Sequence, residues 1–588
     1  MNTTKELIVK FLQDEFRIEN DNYQKLLDSQ CNVLMNKAKM FRGMFQGVDS
    51  NGYALIKFSY KNKIPRPNSS SQYIIFLSEQ LRKKGAVDNY TYRKILSEKK
   101  YYIEGKLLFS AMDNSTPDNQ YFIARYSIQN IEDLDLTILN SFRDCFVYLG
   151  EAMPPFDMLK NLEEYSRNHD DNLFFQYDYW SCTKSECVHT LDMENVSPSK
   201  LISKCDEQNT LIIQGPPGSG KTYLIASIAK EIAEQNKSVL ITTLANRALI
   251  EVVNKENIKE LYNQRRLYKK VLSSEEEKNN PFLQKLSDII PQKGQVHLST
   301  YFSASGSPLL KNDNLTKYDY VIVDEAGQAL LPFLAASLSL GRKQIFIGDN
   351  CQLPPVIELN EDQINKRKYY FAVNGMAALS KVMDVYQLTK TYRLNPHSAS
   401  CTQVFYKNNL VSKGKYTDCF NLFVAGAEYR FIPGTYLICI DDFIYKEQKN
   451  NLIVEICSQL NDYHPDKDKR KKARVAVISY RVNEVTDIHK NMIFNLKINT
   501  DRFTVDTIHR CQGLTAHFAL YVIDTDDVNI KYQLFNVATS RAEIATFIIA
   551  PESKISMITE KNSSMCEFIS LLYKKQHAIF IRQPMSTL

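Results

Sequence analysis

The sequence lacks a long apolar run and carries little net charge. Its longest apolar run, residues 330–340, is shorter than the roughly 18 residues that a membrane span needs. Charged residues interrupt every candidate apolar core near the N-terminus, so neither a secretory signal nor a membrane role is expected. The formal net charge is +6 over 588 residues. Bulk electrostatics therefore do not by themselves establish a polyanionic partner.

Cysteines are few, and they follow no recognisable framework. The 12 cysteines are scattered along the chain, as expected for reduced thiols in an intracellular, cytoplasmic protein, with a nuclear location left open. Cys182, Cys187 and His189 could supply three zinc ligands, but their spacing fits no standard zinc motif. Hydrophobic residues make up 44% of the chain, which is enough for several packed domains.

Residues 211–230, "LIIQGPPGSGKTYLIASIAK", have the pattern of a P-loop. The run Leu211 to Ile213 predicts a buried strand, the glycine-rich stretch a turn, and the residues from Tyr223 a helix. Glycines let backbone N–H groups turn inward, Lys221 can reach the β and γ phosphates, and Thr222 can hold Mg2+. The predicted nucleotide-binding residues of this loop are Gly215, Pro216, Pro217, Gly218, Ser219, Gly220, Lys221 and Thr222.

Alternation of short apolar strands with helices predicts two tandem α/β domains with parallel sheets. We predict an α+β accessory domain over 1–190 that could close into a small barrel, a first α/β domain over 191–376 and a second over 377–588. The charged stretch 255–290 is too long for an ordinary loop and reads as a helical insertion. The predicted strands are 211–213, 239–242, 296–299, 320–323 and 344–347, then 436–440, 474–478, 503–506, 518–523 and 545–549.

A buried strand leads directly into two carboxylates in "YDYVIVDEAGQ". At the carboxyl end of a parallel strand, Asp324 would hold Mg2+, and Glu325 could orient or deprotonate the attacking water. In the next strand, "QIFIGDNCQLPPV", Gln352 lies at the corresponding end and could contact the γ phosphate. The pattern favours nucleotide hydrolysis.

With "GPPGSGKT", "DEAGQ" and "GDNCQLPP" in this order, the sequence resembles the superfamily 1 helicases, most closely the up-frameshift and senataxin-like branch (1B). The likeness continues through residues 386–410, 473–481, 504–523 and 536–543 and covers roughly residues 195–575. It implies two RecA-like P-loop domains with ATP and Mg2+ in the cleft between them.

The resemblance also assigns individual residues. Arg393 in "TYRLNP" and Arg541 in "TSRAE" match arginine fingers that reach the γ phosphate from the second domain, Tyr392 matches a base-stacking residue, and Gly513 in "RCQGLT" lies in a nucleotide-contacting motif. Fingers of this kind contribute on the order of 10³ to 10⁵ in rate.

Polar residues in three loops are candidates for backbone contacts to a single strand. For Ser299 and Thr300, helix capping is an equal alternative. Basic residues of the insertion, at 265, 266, 269 and 270, could add a positive rim or could face solvent. The candidate nucleic-acid-binding residues are Thr243, Asn246, Ser299, Thr300, Thr507 and His509.

Two positions depart from the family. Where relatives carry a glutamine that reads adenine, "VSPSK" places Lys200, which has no acceptor for adenine N6. We therefore expect relaxed base selectivity, with GTP or another NTP used alongside ATP. Thr515 stands where many relatives have glutamate, as in the RecD-type branch.

The sequence thus predicts an NTP-dependent translocase and helicase that moves 5′ to 3′ on single-stranded DNA or RNA. An NTP-gated clamp or remodelling subunit that separates no strands is the alternative, and a helicase subunit that works with a separate nuclease is a third. The N-terminal region could bind protein partners. Neither the choice of DNA or RNA nor the pathway follows from the residues.

Overall fold

The computed structural model describes residues 3–50, 52–59, 65, 72–98, 101–112, 121–128, 135–154, 156–180, 188–191, 197–465, 471–496, 502–527 and 530–582. Two of the three zinc candidates, Cys182 and Cys187, lie outside these residues. Within the ranges just given, no group of three or more His, Cys, Asp or Glu side chains is placed to hold a metal ion. No helix in them combines the length and the apolar character that crossing a bilayer requires.

The N-terminal elements are α1 (Thr4–Asp28), α2 (Cys31–Asn36), β1 (Met40–Val48), β2 (Tyr53–Ser59), β3 (Gln72–Leu77), α3 (Tyr92–Glu98), β4 (Tyr101–Met112), β5 (Tyr121–Ile128), α4 (Leu136–Ser141) and β6 (Phe146–Glu151). The next elements are α5 (Asp157–Asn168), α6 (Leu173–Gln176), β7 (Val188–Leu191), α7 (Pro198–Gln208), β8 (Thr210–Gln214), α8 (Lys221–Glu234), β9 (Val239–Thr243), α9 (Asn246–Val253), α10 (Lys259–Asn263), β10 (Leu267–Lys269), α11 (Ser274–Asn279), β11 (Gln284–Lys285), β12 (Val296–Thr300) and α12 (Tyr301–Ser305).

The middle of the chain continues with β13 (Tyr318–Asp324), α13 (Leu331–Leu340), β14 (Gly341–Gly348), α14 (Glu361–Arg367), α15 (Tyr370–Val373), α16 (Gly375–Leu379), β15 (Val385–Leu388), β16 (Lys390–Thr391), α17 (Pro396–Thr402) and β17 (Val411–Ser412). The C-terminal elements are β18 (Phe420–Val424), β19 (Ala427–Phe431), β20 (Gly434–Ile440), α18 (Tyr445–Asn461), β21 (Val475–Ser479), α19 (Val482–Leu496), β22 (Phe503–Thr507), β23 (Ala516–Val522), α20 (Tyr532–Thr539), β24 (Ala542–Pro551), α21 (Glu552–Lys561), α22 (Ser563–Lys574) and β25 (Ala578–Ile581).

The chain forms two compact units that are discontinuous in sequence. The first unit comprises residues 1–21, 155–393 and 406–414, and the second comprises 22–154, 394–405 and 415–588. The predicted accessory domain 1–190 is therefore wrong as a single body, because its two ends belong to the first unit and its middle belongs to the second.

The first unit is built on a parallel sheet. Within the described residues, its strand order is β11-β10-β12-β9-β13-β14-β8-β15-β7. Strands β8, β9, β13 and β14 are apolar along most of their length and buried on both faces, because helices cover both sides of such a sheet. This confirms the predicted α/β class. The predicted boundary at 376 is wrong, since β15 pairs with β8 in this sheet.

The predicted insertion at 255–290 is not purely helical. It contains α10 and α11, but β10 and β11 between and after them extend the sheet edge beyond β12 in parallel register. Apolar side chains such as Leu267 and Leu283 are buried in the sheet core. The segment is thus part of the first unit's fold.

The N-terminal helix α1 packs against the first unit. Leu7, Ile8, Phe11 and Leu12 recur at helical spacing and are buried in the core that also covers the sheet. The stripe continues into Glu15, which is 4% exposed and accepts hydrogen bonds from the backbone N–H groups of residues 358 and 359. The helix therefore supports the loop that follows the Gln352 motif.

The second unit contains a closed antiparallel barrel and a second parallel sheet. The barrel order is β1-β2-β5-β4-β3-β6, and all six strands lie within the stretch 1–190 for which a small barrel was predicted. The parallel sheet has the order β22-β21-β23-β24-β20-β25. Its strands include all five strands predicted for the second α/β domain, each with a largely apolar, buried sequence.

Candidate nucleotide-binding site

The loop between β8 and α8 folds around the Lys221 ammonium. Lys221 Nζ donates to Gly215 O at 2.7 Å and to Pro216 O at 3.4 Å. Gly218 and Gly220 have φ of +71° and +83°, which glycine adopts without strain. A Cβ on Gly215 would lie 2.6 Å from the Lys221 side chain. The loop is a glycine-lined cradle around a cation at a helix N-terminus, an arrangement that suits a phosphate.

The P-loop also carries a buried hydroxyl, that of Ser219. Ser219 is 1% exposed, and its Oγ is buried with no hydrogen-bond partner among the described residues. Thr222 follows in the first turn of α8 and is half-buried. An unpaired buried hydroxyl beside a lysine fits a triphosphate ligand, because phosphate oxygens supply acceptors for both groups.

The chain after β15 lies directly against this loop. Tyr392 N donates to Gly218 O at 2.8 Å, and Thr391 Oγ1 donates to Pro217 O at 2.8 Å. A Cβ on Gly218 would lie 2.4 Å from Arg393 Cβ, so only glycine fits there. Arg393 belongs to the first unit. Its backbone lies beside the P-loop, and its role as an arginine finger stays a prediction.

Tyr392 is the residue expected to stack on the base. Its side chain is 48% exposed, and a Cβ on Gly220 would lie 3.9 Å from its ring. An exposed ring next to the phosphate cradle can stack on a planar ligand. The stacking role stays a prediction.

The two predicted carboxylates end a strand at the same edge as the P-loop. Asp324 pairs with Ile347, and Ile347 pairs with Ile213, so the carboxyl ends of β13, β14 and β8 are level. Asp324 is 4% exposed. Burial raises its pKa to about 7, the Glu325 carboxylate adds to the rise, and the Lys221 ammonium opposes it. A buried carboxylate that senses Lys221 fits a Mg2+ ligand beside the phosphates.

Glu325 sits in a strained backbone position. Its φ is +54°, in the left-handed region that non-glycine residues rarely adopt. The backbone N–H of Glu325 donates to Asp324 Oδ1 at 2.8 Å, which fixes the turn. Strain of this kind persists where the surrounding structure dictates it, and it clusters at active sites.

Gln352 lies in a buried polar cluster that the sequence did not reveal. Its Nε2 donates to Asp349 Oδ2 at 2.7 Å. Gln214, at the end of the P-loop strand, donates to Asp349 Oδ1 at 2.6 Å, and Tyr406 OH donates to Asp349 Oδ2 at 2.8 Å. Asp349 was visible in "GDNCQ", but nothing in the sequence placed Gln214 or Tyr406 beside it.

The second unit holds the other predicted nucleotide contacts. Arg541 is 1% exposed, and its guanidinium donates to Val537 O at 2.7 Å and to Ser540 Oγ at 3.2 Å. Gly513 has φ of +76°, and a Cβ there would meet nothing within 4 Å. The roles of Arg541 and Gly513 stay predictions.

The candidate strand-binding residues differ in exposure. Thr243, Ser299 and Thr507 are each less than a tenth exposed, whereas Asn246 and His509 are exposed. Thr300 caps α12, since its Oγ1 accepts from Ser303 N, as the capping alternative predicts. Exposure favours Asn246 and His509 among these candidates, and strand binding stays a prediction for all six.

The proposed basic rim is largely paired within the first unit. Arg266 donates to Gly294 O and Ala233 O. Lys269 is 1% exposed and lies 3.0 Å from Glu276, and Lys270 lies 2.9 Å from Asp288. Arg265 lies over the Phe282 ring. These contacts give the cations a structural role.

Lys200 occupies the position at which relatives carry the adenine-reading glutamine, so this position offers no carboxamide to the base. Lys200 is exposed in the first turn of α7, whose N-terminus is capped by Ser197. Gln208, at the other end of α7, donates to Tyr386 OH at 3.1 Å. Relaxed base selectivity stays a prediction.

Two family models match parts of the first unit. Residues 251–358 match a model described as an AAA domain, and residues 196–264 match one described as the KAP family P-loop domain. The two ranges include the P-loop, both carboxylates and Gln352.

Several similar proteins carry helicase names. The chain is 23% identical over 419 residues to the DNA replication ATP-dependent helicase/nuclease dna2 of Schizosaccharomyces pombe, covering 64% of this chain and 29% of that protein. It is 25% identical over 269 residues to Regulator of nonsense transcripts 1 of Dictyostelium discoideum, covering 38% and 20%. The crystal structure of Arterivirus nonstructural protein 10 (helicase) aligns at 12% identity over 88% of this chain and 79% of that one, with a TM-score of 0.34.

The aligned part spans about a third or less of the first curated relatives' own length. These relatives confirm the resemblance to superfamily 1 helicases that the motifs predict.

Proposed function

We propose that this chain is an NTP-dependent, Mg2+-requiring motor that moves 5′ to 3′ along single-stranded DNA or RNA and separates strands. One observation carries the proposal: the glycine cradle of Lys221 follows β8, buried Asp324 and half-buried Glu325 lie at the end of β13, and the carboxyl ends of these strands are level across β14. This is the edge at which parallel sheets bind ligands. The names of the similar proteins, ATP-dependent helicases, support the class of activity.

The residues divide the reaction between binding and chemistry. Lys221 and the loop N–H groups bind the β and γ phosphates, and Thr222 and Asp324 would hold Mg2+. Mg2+ held there supplies charge neutralisation at the phosphates. Glu325 orients or deprotonates the attacking water, and Gln352 contacts the γ phosphate.

Further contacts complete the site. Arg393, whose backbone is fixed beside Gly218, neutralises charge that develops on the γ phosphate, and the family resemblance assigns the same role to Arg541. Tyr392 stacks on the base, and Gly513 lets the backbone approach the nucleotide. ATP is used, and the absence of a carboxamide at Lys200 extends use to GTP.

Two variants test the assignment of the hydrolysis site. Lys221→Ala should abolish ATP hydrolysis. Glu325→Gln should retain binding of a fluorescent ATP analogue but lower kcat by about 10² or more, as expected for loss of a general base. Steady-state hydrolysis and equilibrium binding measure the two effects.

The matched control is Glu256→Gln, which neutralises a carboxylate of the same unit that is 88% exposed and should hydrolyse ATP at the parental rate. If Glu325→Gln also turned over at the parental rate, Glu325 would not be the base. If Lys221→Ala did so, the site itself would be misassigned.

A further inference from the structure

The Asp349 carboxylate is a buried hydrogen-bond centre at the end of β8, the strand that leads into the P-loop. It is 2% exposed. Its Oδ1 accepts from Gln214 Nε2 at 2.6 Å and from Cys351 N at 3.0 Å. Its Oδ2 accepts from Gln352 Nε2 at 2.7 Å and from Tyr406 OH at 2.8 Å. Four donors therefore fix both oxygens, and Tyr406 and Gln352 share one of them.

This arrangement decides which way the Gln352 carboxamide faces. A carboxamide nitrogen carries two N–H donors, and its oxygen carries none. Because one N–H of Gln352 is bound to Asp349 Oδ2, its nitrogen is held in place and its second N–H can donate to a γ-phosphate oxygen. A flipped amide would place two acceptor oxygens against each other at Asp349.

Burial and a backbone hydrogen bond fix the position of Tyr406 next to the Asp349 carboxylate. It is 2% exposed, and its backbone O accepts from Gln387 Nε2 on β15 at 3.3 Å. Lys407 and Asn408 have φ of +53° and +58°, so the chain turns sharply just after the tyrosine.

The turn after Tyr406 returns the chain to the P-loop. Strand β17 follows and pairs in parallel with β16. Strand β16 includes Thr391, whose hydroxyl donates to Pro217 O of the P-loop. The segment 406–414 thus contacts the Asp349 carboxylate through Tyr406, and through β17 it contacts the strand beside the P-loop.

We propose that Tyr406 is a positioning residue for nucleotide hydrolysis: its hydroxyl fixes Asp349 and, through Asp349, the Gln352 carboxamide in the orientation that donates to the γ phosphate. This inference rests on the proposed function. Removing the hydroxyl leaves the ring in its pocket and Asp349 with three donors, so the Asp349 carboxylate and the Gln352 carboxamide bonded to it are held less firmly while the site stays folded.

A double-mutant cycle tests the proposal. Tyr406→Phe should lower kcat for ATP hydrolysis about 3- to 10-fold and leave KM within about twofold, since it affects a transition-state contact. In a Gln352→Ala background the same change should have no further effect on kcat, because coupled residues are non-additive. A purely structural role of the hydroxyl would lower kcat by the same factor in both backgrounds.

The control is Tyr165→Phe, which removes another buried hydroxyl of the first unit, one that bonds Ser339 Oγ at 2.8 Å. It should hydrolyse ATP at the parental rate, and the thermal unfolding midpoint of each variant shows that it is folded. Parental kcat in Tyr406→Phe, or an equal loss in the Gln352→Ala background, would overturn the inference. Parental hydrolysis by Lys221→Ala would instead overturn the proposed function itself.

Discussion

Two residues of the candidate nucleotide site, Glu325 and Asp324, are held in energetically unfavourable states. Glu325 holds a left-handed backbone conformation that costs on the order of 1 kcal/mol or more, and burial raises the pKa of the neighbouring Asp324 to about 7. Both costs fall on the pair assigned to Mg2+ and water. Backbone strain and a perturbed pKa at adjacent residues are typical of functional sites. The two observations therefore support the proposed roles of Asp324 in binding Mg2+ and of Glu325 in activating water.

Glu19 provides a test of burial and charge away from the site. Burial, together with the Glu15 and Glu358 carboxylates, raises its pKa from 4.5 to about 7. Because the pKa of Glu19 is higher in the folded than in the unfolded chain, the free energy of unfolding is larger at low pH. This contribution is lost as the pH rises from about 4.5 through about 7. We expect Glu19→Gln to raise the thermal unfolding midpoint at pH 8 and to change it little at pH 5.

The control for this prediction is Asp21→Asn, which neutralises an exposed carboxylate of the same helix. It should shift the midpoint equally at both pH values or not at all. An equal shift for Glu19→Gln at pH 5 and pH 8 would show that its carboxyl titrates normally in the folded chain.

At the scale of elements, the positions of the strands could be predicted from the sequence better than the strands with which they pair. Strands β8, β9, β13 and β14 were predictable because each is a short apolar run followed by turn residues. The P-loop, Asp324, Glu325 and Gln352 followed from the same runs, since each lies where a strand ends.

Other elements depend on pairing between distant parts of the chain, which no local sequence pattern predicts. Strand β15 joins the first sheet only because it pairs with β8, and the strands of the insertion are too short to be distinguished from loops. The Asp349 cluster brings Gln214 and Tyr406 together from distant parts of the chain. Spacing could not have predicted it.

Helix α1 illustrates the same limit and gives a prediction. Helical spacing of its apolar residues indicates a buried face but not what covers that face. In the structure Phe11 is fully buried in the first unit's core and packs edge-on against Tyr369. We expect Phe11→Ala to destabilise the first unit by about 3–5 kcal/mol, as for other buried phenylalanines. Chemical denaturation followed by loss of bound nucleotide analogue reports on this unit.

Phe443→Ala is the matched control, because this side chain is 92% exposed and its truncation should leave the denaturation midpoint unchanged. If Phe11→Ala behaved like Phe443→Ala, helix α1 would not be part of the first unit's core.

At the scale of the whole molecule, the chain passes repeatedly between the two units. The first unit is assembled from three segments, and the barrel and the second parallel sheet belong to the other unit. Domain boundaries drawn along the sequence failed for this reason. The α/β class did not fail, because each parallel sheet arises from its own series of apolar strands.

The most direct test of the proposed motor activity is strand displacement from a forked duplex with a single-stranded 5′ tail, measured with the full chain, ATP and Mg2+. The account predicts release of the paired strand from the 5′-tailed fork, little release from a 3′-tailed fork, and none with Lys221→Ala. ATP hydrolysis that a single strand stimulates without any release would contradict the motor and identify an NTP-gated clamp instead.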